Sequence, residues 1–125
     1  FDTIVVYKKE VLGKPVNLEQ AHQTLTMLSG KTHAVYTGVC MIDTINDTLK
    51  TRTEYNTVSF KNLTDKMIQR YIREYDVLDK AGSYGIQDCQ NTFATLESGS
   101  YYSVMGFPID SVLKLLEQYD IVNYA

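Results

Sequence analysis

Asp2 stands at the head of an apolar, β-branched run, Thr3-Ile4-Val5-Val6-Tyr7. A carboxylate at a strand end can hold Mg²⁺ or activate water, and Mg²⁺ sites commonly combine one or two carboxylates with substrate phosphates. The plainer reading of Asp2 is a strand flank or a cap. Lys14, in Leu12-Gly13-Lys14-Pro15, puts an ammonium group beside a glycine, a pairing suited to close approach by phosphate. Asp79-Lys80-Ala81-Gly82-Ser83-Tyr84-Gly85-Ile86-Gln87 packs two glycines, a charged pair and an amide into one short segment. Loops of this kind, held by rigid elements, often carry function. Together these segments predict a site for a polar, anionic ligand, assembled from parts far apart in the chain.

Other combinations fail on spacing. Gly30-Lys31-Thr32 invites a phosphate-loop reading, but that motif needs glycine at position 25, where Leu25 lies on a helix face. Gly30 is better read as a helix C-cap. His22 and His33 have no partner at triad or ligand spacing and are read as structural. Cys40 and Cys89 fit no C-x-x-C or Cys/His pattern and are read as free thiols, with one disulfide left open.

The elements that must position the candidates alternate along the chain. Thr3–Tyr7 reads as a buried strand. Asn17 caps a helix, with Gln20 as its capping-box partner, and Leu18, Ala21, Leu25 and Leu28 follow at helical spacing. Thr32–Asp43 and Thr48–Phe60 read as an antiparallel hairpin turning at Asn46-Asp47. Thr64 caps a second helix with an apolar stripe of Ile68, Tyr71, Ile72 and Tyr75. Thr92–Leu96 suggests a further strand. Pro108 opens a final helix carrying Val112, Leu113, Leu115 and Leu116. The pattern predicts an α/β domain with a mixed sheet.

A chain of 125 residues, 44% hydrophobic and 22% charged, has the makings of one soluble domain over residues 1–125. Its net charge of −3 and scattered basic residues argue against a nucleic-acid partner. No signal peptide or apolar run of transmembrane length is present, so no membrane association and a cytoplasmic location are expected. The chain opens at Phe1 inside an apolar run, with neither Met nor leader, and reads as part of something longer.

On these blocks the chain resembles the Maf family, septum-formation-protein homologues that act as nucleoside triphosphate pyrophosphatases. Asp2-Thr3-Ile4-Val5-Val6 is similar to the family's D-T-V-V strand and Leu12-Gly13-Lys14-Pro15 to its L-G-K-P loop. Residues 28–39 follow its L-S-G-x-x-H-x-V-x-T-G-V block, residues 79–87 its D-K-A-G-A-Y-G-I-Q signature, and Tyr101–Pro108 its Y-Y-N-V-V-G-L-P segment. The resemblance implies a bent mixed sheet flanked by helices, with a site in a cleft between two lobes. It implies cleavage of a nucleotide between its α- and β-phosphates with a divalent metal, Mg²⁺ or Mn²⁺, and allows a homodimer. Asp2 would be the catalytic carboxylate, acting as general base or metal-bound activator of water. Lys14 would hold phosphate. Thr3 and Gln87 stand where family members preferring dTTP and UTP carry these residues, and a Gln amide can both donate to and accept from a uracil or thymine edge. Lys80 is the weaker candidate.

The departures set the rival readings. The family's opening strand and S-x-S-x-R-R loop, and a glutamate and lysine further on, have no counterpart in these residues. Charge neutralisation would then rest on Lys14 and metal, so the 125-residue piece alone is expected to be nearly inactive, and unpaired sheet backbone is expected to favour instability or association. Asp88 replaces a glycine, Tyr75-Asp76-Val77 a Gly-Glu-Pro turn, Met67 a glutamate and Ser103 an asparagine. A catalytically degenerate binding or regulatory protein tied to septum formation is the first alternative. A 7-methyl-GTP pyrophosphatase, whose branch carries lysine and glutamate at the positions of Thr3 and Gln87, is the second.

Overall fold

The computed structural model describes residues 1–90 and 92–118. Five strands form one sheet in the order β2-β1-β3-β4-β5. They are β1 (Asp2–Tyr7), β2 (Glu10–Leu12), β3 (Thr32–Asp43), β4 (Thr48–Phe60) and β5 (Ala94–Ser98). The helices are α1 (Leu18–Leu28), α2 (Asp65–Glu74), α3 (Ile86–Cys89), α4 (Tyr101–Val104) and α5 (Ile109–Gln118), with a 3₁₀ turn at Ala81–Ser83. The α/β class, with helices flanking a sheet, is as the sequence predicts. Among the described residues every strand pairing is antiparallel, where the alternation of elements suggested a mixed sheet. The reason lies in the connections. β1–β2 and β3–β4 close as hairpins, and β3 returns antiparallel beside β1 after α1. A register shift between Thr57 and Val58 interrupts the pairing of β4 with β5, a bulge of the kind that bends a strand.

Local chemistry accounts for the helix ends. Asn17 Oδ1 accepts from Gln20 N at 2.8 Å, and Gln20 Oε1 accepts from Val16 N at 2.7 Å, a reciprocal cap displaced by one residue from the usual box. Thr64 Oγ1 accepts from Met67 N at the head of α2. Gly30 follows the α1 C-cap residue Ser29 with φ +67°, as the C-cap reading requires. β5 begins at Ala94, two residues later than its apolar run suggests. The amides of Thr92 and Phe93 both donate back to the Cys89 carbonyl, closing α3 before the strand can start.

One face of the sheet is covered, and pairing register says which residues lie on it. Thr3 is opposite Thr37 and Val5 opposite Val35; Val35 is opposite Asn56 and His33 opposite Val58. At one end of this face, Val5, Val35, Val58 and Phe60 pack with Leu25, Leu28, Ile68, Tyr71 and Phe93 into the hydrophobic core. At the other end the face turns polar, with Thr37, Asn56, Ser103 and Ser111 buried there, and α4 and α5 cover it. The opposite face carries Ile4, Tyr36 and Tyr55 and stays partly open, Ile4 being 40% and Tyr55 55% exposed. The covered face therefore bears two layers of different character, and a cleft runs between them.

Candidate active site

A cavity of about 360 Å³ opens where the two coverings part, within the range of small-ligand sites. Thr3, Val5 and Val35 line it from the sheet. Lys14, Asp79, Lys80 and the segment Tyr84–Gln87 line it from the glycine-loop side, and Val104, Met105 and Gly106 from the α4 side. Asp2, Thr3, Lys14 and Gln87, the four residues singled out in the sequence, all line this cleft.

Backbone contacts join the loops. Gly82 N donates to Gly13 O at 3.2 Å, tying the glycine loop to the Lys14 loop. Gly82 has φ +72°, and a Cβ there would come within 3.0 Å of the Val5 side chain. Both its left-handed backbone and its approach to β1 call for glycine. Gly85 N donates to the Tyr71 hydroxyl at 3.1 Å, anchoring the loop's far end to α2. Gln87 then falls on the first turn of α3, a short helix within the segment that the sequence reads as a glycine loop.

Asp2 is exposed, and its Oδ1 accepts from Thr3 N at 2.9 Å. Lys14 Nζ lies 3.5 Å from Asp79 Oδ1, with both side chains largely exposed. Such an exposed pair is weak, so Lys14 is free to exchange Asp79 for a ligand phosphate. Sequence reasoning gave Asp79 no role of its own; the two residues meet only across the fold, 65 positions apart. Lys80 reaches the same cleft, its aliphatic stem packing where a Gly85 Cβ would stand, with Cδ at 3.0 Å.

The histidines take up structural positions. His33 is buried, its Nε2 lying 2.6 Å from the Tyr84 hydroxyl, and burial pulls its pKa down from 6.5 to about 4. Burial also pushes Tyr84 well up. His22 pairs with Asp65 between α1 and α2. Cys40 and Cys89 are free, and burial raises the Cys89 thiol to about 12, so it remains protonated.

Among the described residues no group of three or more His, Cys, Asp or Glu side chains could hold a metal by itself. The donor set of the cleft, exposed Asp2 with Asp79 also at its wall, suits a hard cation that draws its other ligands from phosphate and water. A network missed in the sequence supports the cleft from behind. Thr3 Oγ1 contacts Thr37 Oγ1, which donates to Ser103 O, while Asn56 bonds to Ser103 and Ser100. Its only sequence signal was polar residues at inward positions of strands that otherwise bury apolar ones.

The chain belongs to the family described as Maf-like protein, which it matches over residues 1–119. It is 44% identical over 120 residues to the dTTP/UTP pyrophosphatase of Clostridium perfringens. It is 47% identical over the same length to a dTTP/UTP pyrophosphatase of Bacillus cereus, and 46% identical to that of Bacillus anthracis. Each alignment covers 96% of this chain and 62% of the relative. The chain thus spans a little under two thirds of the length of these curated relatives.

Proposed function

We propose that the protein hydrolyses a pyrimidine nucleoside triphosphate between its α- and β-phosphates, releasing the monophosphate and pyrophosphate. The observation that carries this reading is the convergence of Asp2, Thr3, Lys14 and Gln87 on one cleft, in a chain whose relatives are named dTTP/UTP pyrophosphatases. Asp2 accepts the proton of the attacking water as the new P–O bond forms at the α-phosphorus. The bond from that phosphorus to the bridging oxygen breaks, and pyrophosphate leaves with the electron pair. Lys14 offsets the charge that builds on the phosphate oxygens, a role worth a factor of about 10²–10³ when such a preorganised donor is removed. A divalent cation held by Asp2, Mg²⁺ or Mn²⁺, would supply Lewis-acid stabilisation of that charge. Thr3 and Gln87, which line the same cleft, meet the base.

The test is product analysis with dTTP and UTP in the presence of Mn²⁺ or Mg²⁺, using the whole protein to which these residues belong. Monophosphate with pyrophosphate is the expected outcome, with Asp2→Asn abolishing it. Diphosphate with inorganic phosphate, or release unaffected by Asp2→Asn, would overturn the reading.

A further inference from the structure

The hydrogen-bond network behind the cleft has a direction that its donors and acceptors determine. A threonine hydroxyl carries one hydrogen, and a backbone carbonyl can only accept. Thr37 Oγ1 lies 2.8 Å from Ser103 O, so its hydrogen is committed to that carbonyl. Thr3 Oγ1 lies 2.8 Å from Thr37 Oγ1, and the hydrogen of that second contact must come from Thr3. Thr3 is left with lone pairs and no hydrogen to offer the cleft that it lines.

The arrangement is locked from the far side. Asn56 Oδ1 accepts from Ser100 N at 2.8 Å, which orients the amide because the backbone group can only donate. Its Nδ2 then donates to Ser103 Oγ at 2.8 Å and Val35 O at 3.2 Å. Thr37 and Ser103 are fully buried and Asn56 is 1% exposed, so solvent does not compete for these bonds. The backbone at Gly106 closes over the same hydroxyl, a Cβ there falling 3.4 Å from Thr3 Oγ1.

We propose that Thr37 is a positioning residue that fixes Thr3 as a hydrogen-bond acceptor, and that this polarity selects a base whose ring nitrogen carries a hydrogen over one whose ring nitrogen is bare. The inference rests on the pyrimidine-nucleotide reading above and adds the device that discriminates within that class. Uracil and thymine present an imide N–H, which Thr3 accepts. Cytosine presents a bare ring nitrogen, which meets the Thr3 lone pairs. Gln87 cannot make this choice alone, since its amide carries both a donor and an acceptor and can turn to suit either ring.

The probes are UMP and CMP, titrated into the protein and its Thr37→Val, Thr37→Ser and Thr3→Val variants, with thermal melting of each. The unaltered protein prefers UMP. Thr37→Val, similar in shape but unable to donate to Ser103, cuts the UMP-to-CMP affinity ratio by about tenfold, the scale of one hydrogen bond gained or lost. Thr37→Ser keeps the ratio, and Thr37→Val adds nothing in a Thr3→Val background. A merely structural role would weaken both nucleotides alike. Should Thr37→Val fail to fold, Thr37→Ser and the hydroxyl-proton NMR signals of Thr3 and Thr37 decide the matter. Slow solvent exchange at Thr37, with Thr3 pointing to it, is expected; exchange at the rate of a free hydroxyl would overturn the proposal. An unchanged ratio in a folded Thr37→Val, or equal affinity of the unaltered protein for both nucleotides, overturns this inference and leaves the proposed function standing. Binding of neither nucleotide overturns both.

Discussion

Lys14 and Asp2 would act on phosphate and water, and each sits on an exposed wall where replacement disturbs little packing. Asp2→Asn and Lys14→Ala are therefore expected to leave melting temperature within about 2 °C, as surface substitutions do. Each lowers pyrophosphate release by about 10²-fold or more. Steady-state kinetics beside a melting curve checks this, and a large fall in melting temperature would assign the two residues to the fold instead. Gln87→Glu replaces an amide that donates and accepts with an acceptor, and is expected to erode the preference for UTP in a substrate-competition assay. Ser83 is a different case. Its hydroxyl is buried at φ +67° and has no hydrogen-bond partner among the described residues, where the family signature has alanine. An unpaired buried hydroxyl costs about 1–3 kcal/mol. Ser83→Ala is expected to raise unfolding free energy by about 1 kcal/mol, measured by urea denaturation, with nucleotide binding unchanged.

At the scale of elements, the segment Gly99–Gly106 depends on one close approach. Gly99 has φ +103°, and a Cβ there would fall 2.1 Å from Asn56 Oδ1, the atom that caps Ser100. Gly99→Ala combines backbone strain with a clash against a buried amide. It is expected to cost about 2–3 kcal/mol and to weaken nucleotide binding by loosening the Val104–Gly106 wall. Denaturation and binding measured on the same variant check the two effects together. Gly99 and Asn56 also show where sequence reading stops. β3 and β4 were legible to the residue because threonine-rich and β-branched runs end at Asp43 and begin again at Thr48 around a turn. α1 and α2 were legible because their caps and apolar stripes agree. Asn56 was not, because a polar residue inside a strand becomes informative only when its partner, 47 positions away in Ser103, is placed against it. Asp2, Thr3, Lys14 and Gln87 could be named from motifs, whereas the pairing of Lys14 with Asp79 needed the fold.

For the whole molecule, the junction of core and site responds to acid. His33 joins the core through Phe60 and Tyr84, with ring centroids at 5.1 and 5.4 Å, and Tyr84 lines the cleft. Its pKa falls from 6.5 to about 4 on burial, so between these values the unfolded chain binds a proton that the folded chain refuses. Stability from this group is fully present above pH 6.5 and is lost as pH falls toward 4, about 3 kcal/mol in all at about 1.4 kcal/mol per pH unit. A pH series of urea melts should show that acid limb, and His33→Gln should flatten it. On the proposed function, one nucleotide spans a cleft built from three separated segments. Amide NMR of the protein titrated with UMP tests it most directly. The signals of Thr3, Lys14 and Gln87 are expected to shift together along one binding curve. Shifts confined to one of these segments, or centred on the separate cavity lined by Met67, Arg70, Tyr71 and Phe93, would contradict it.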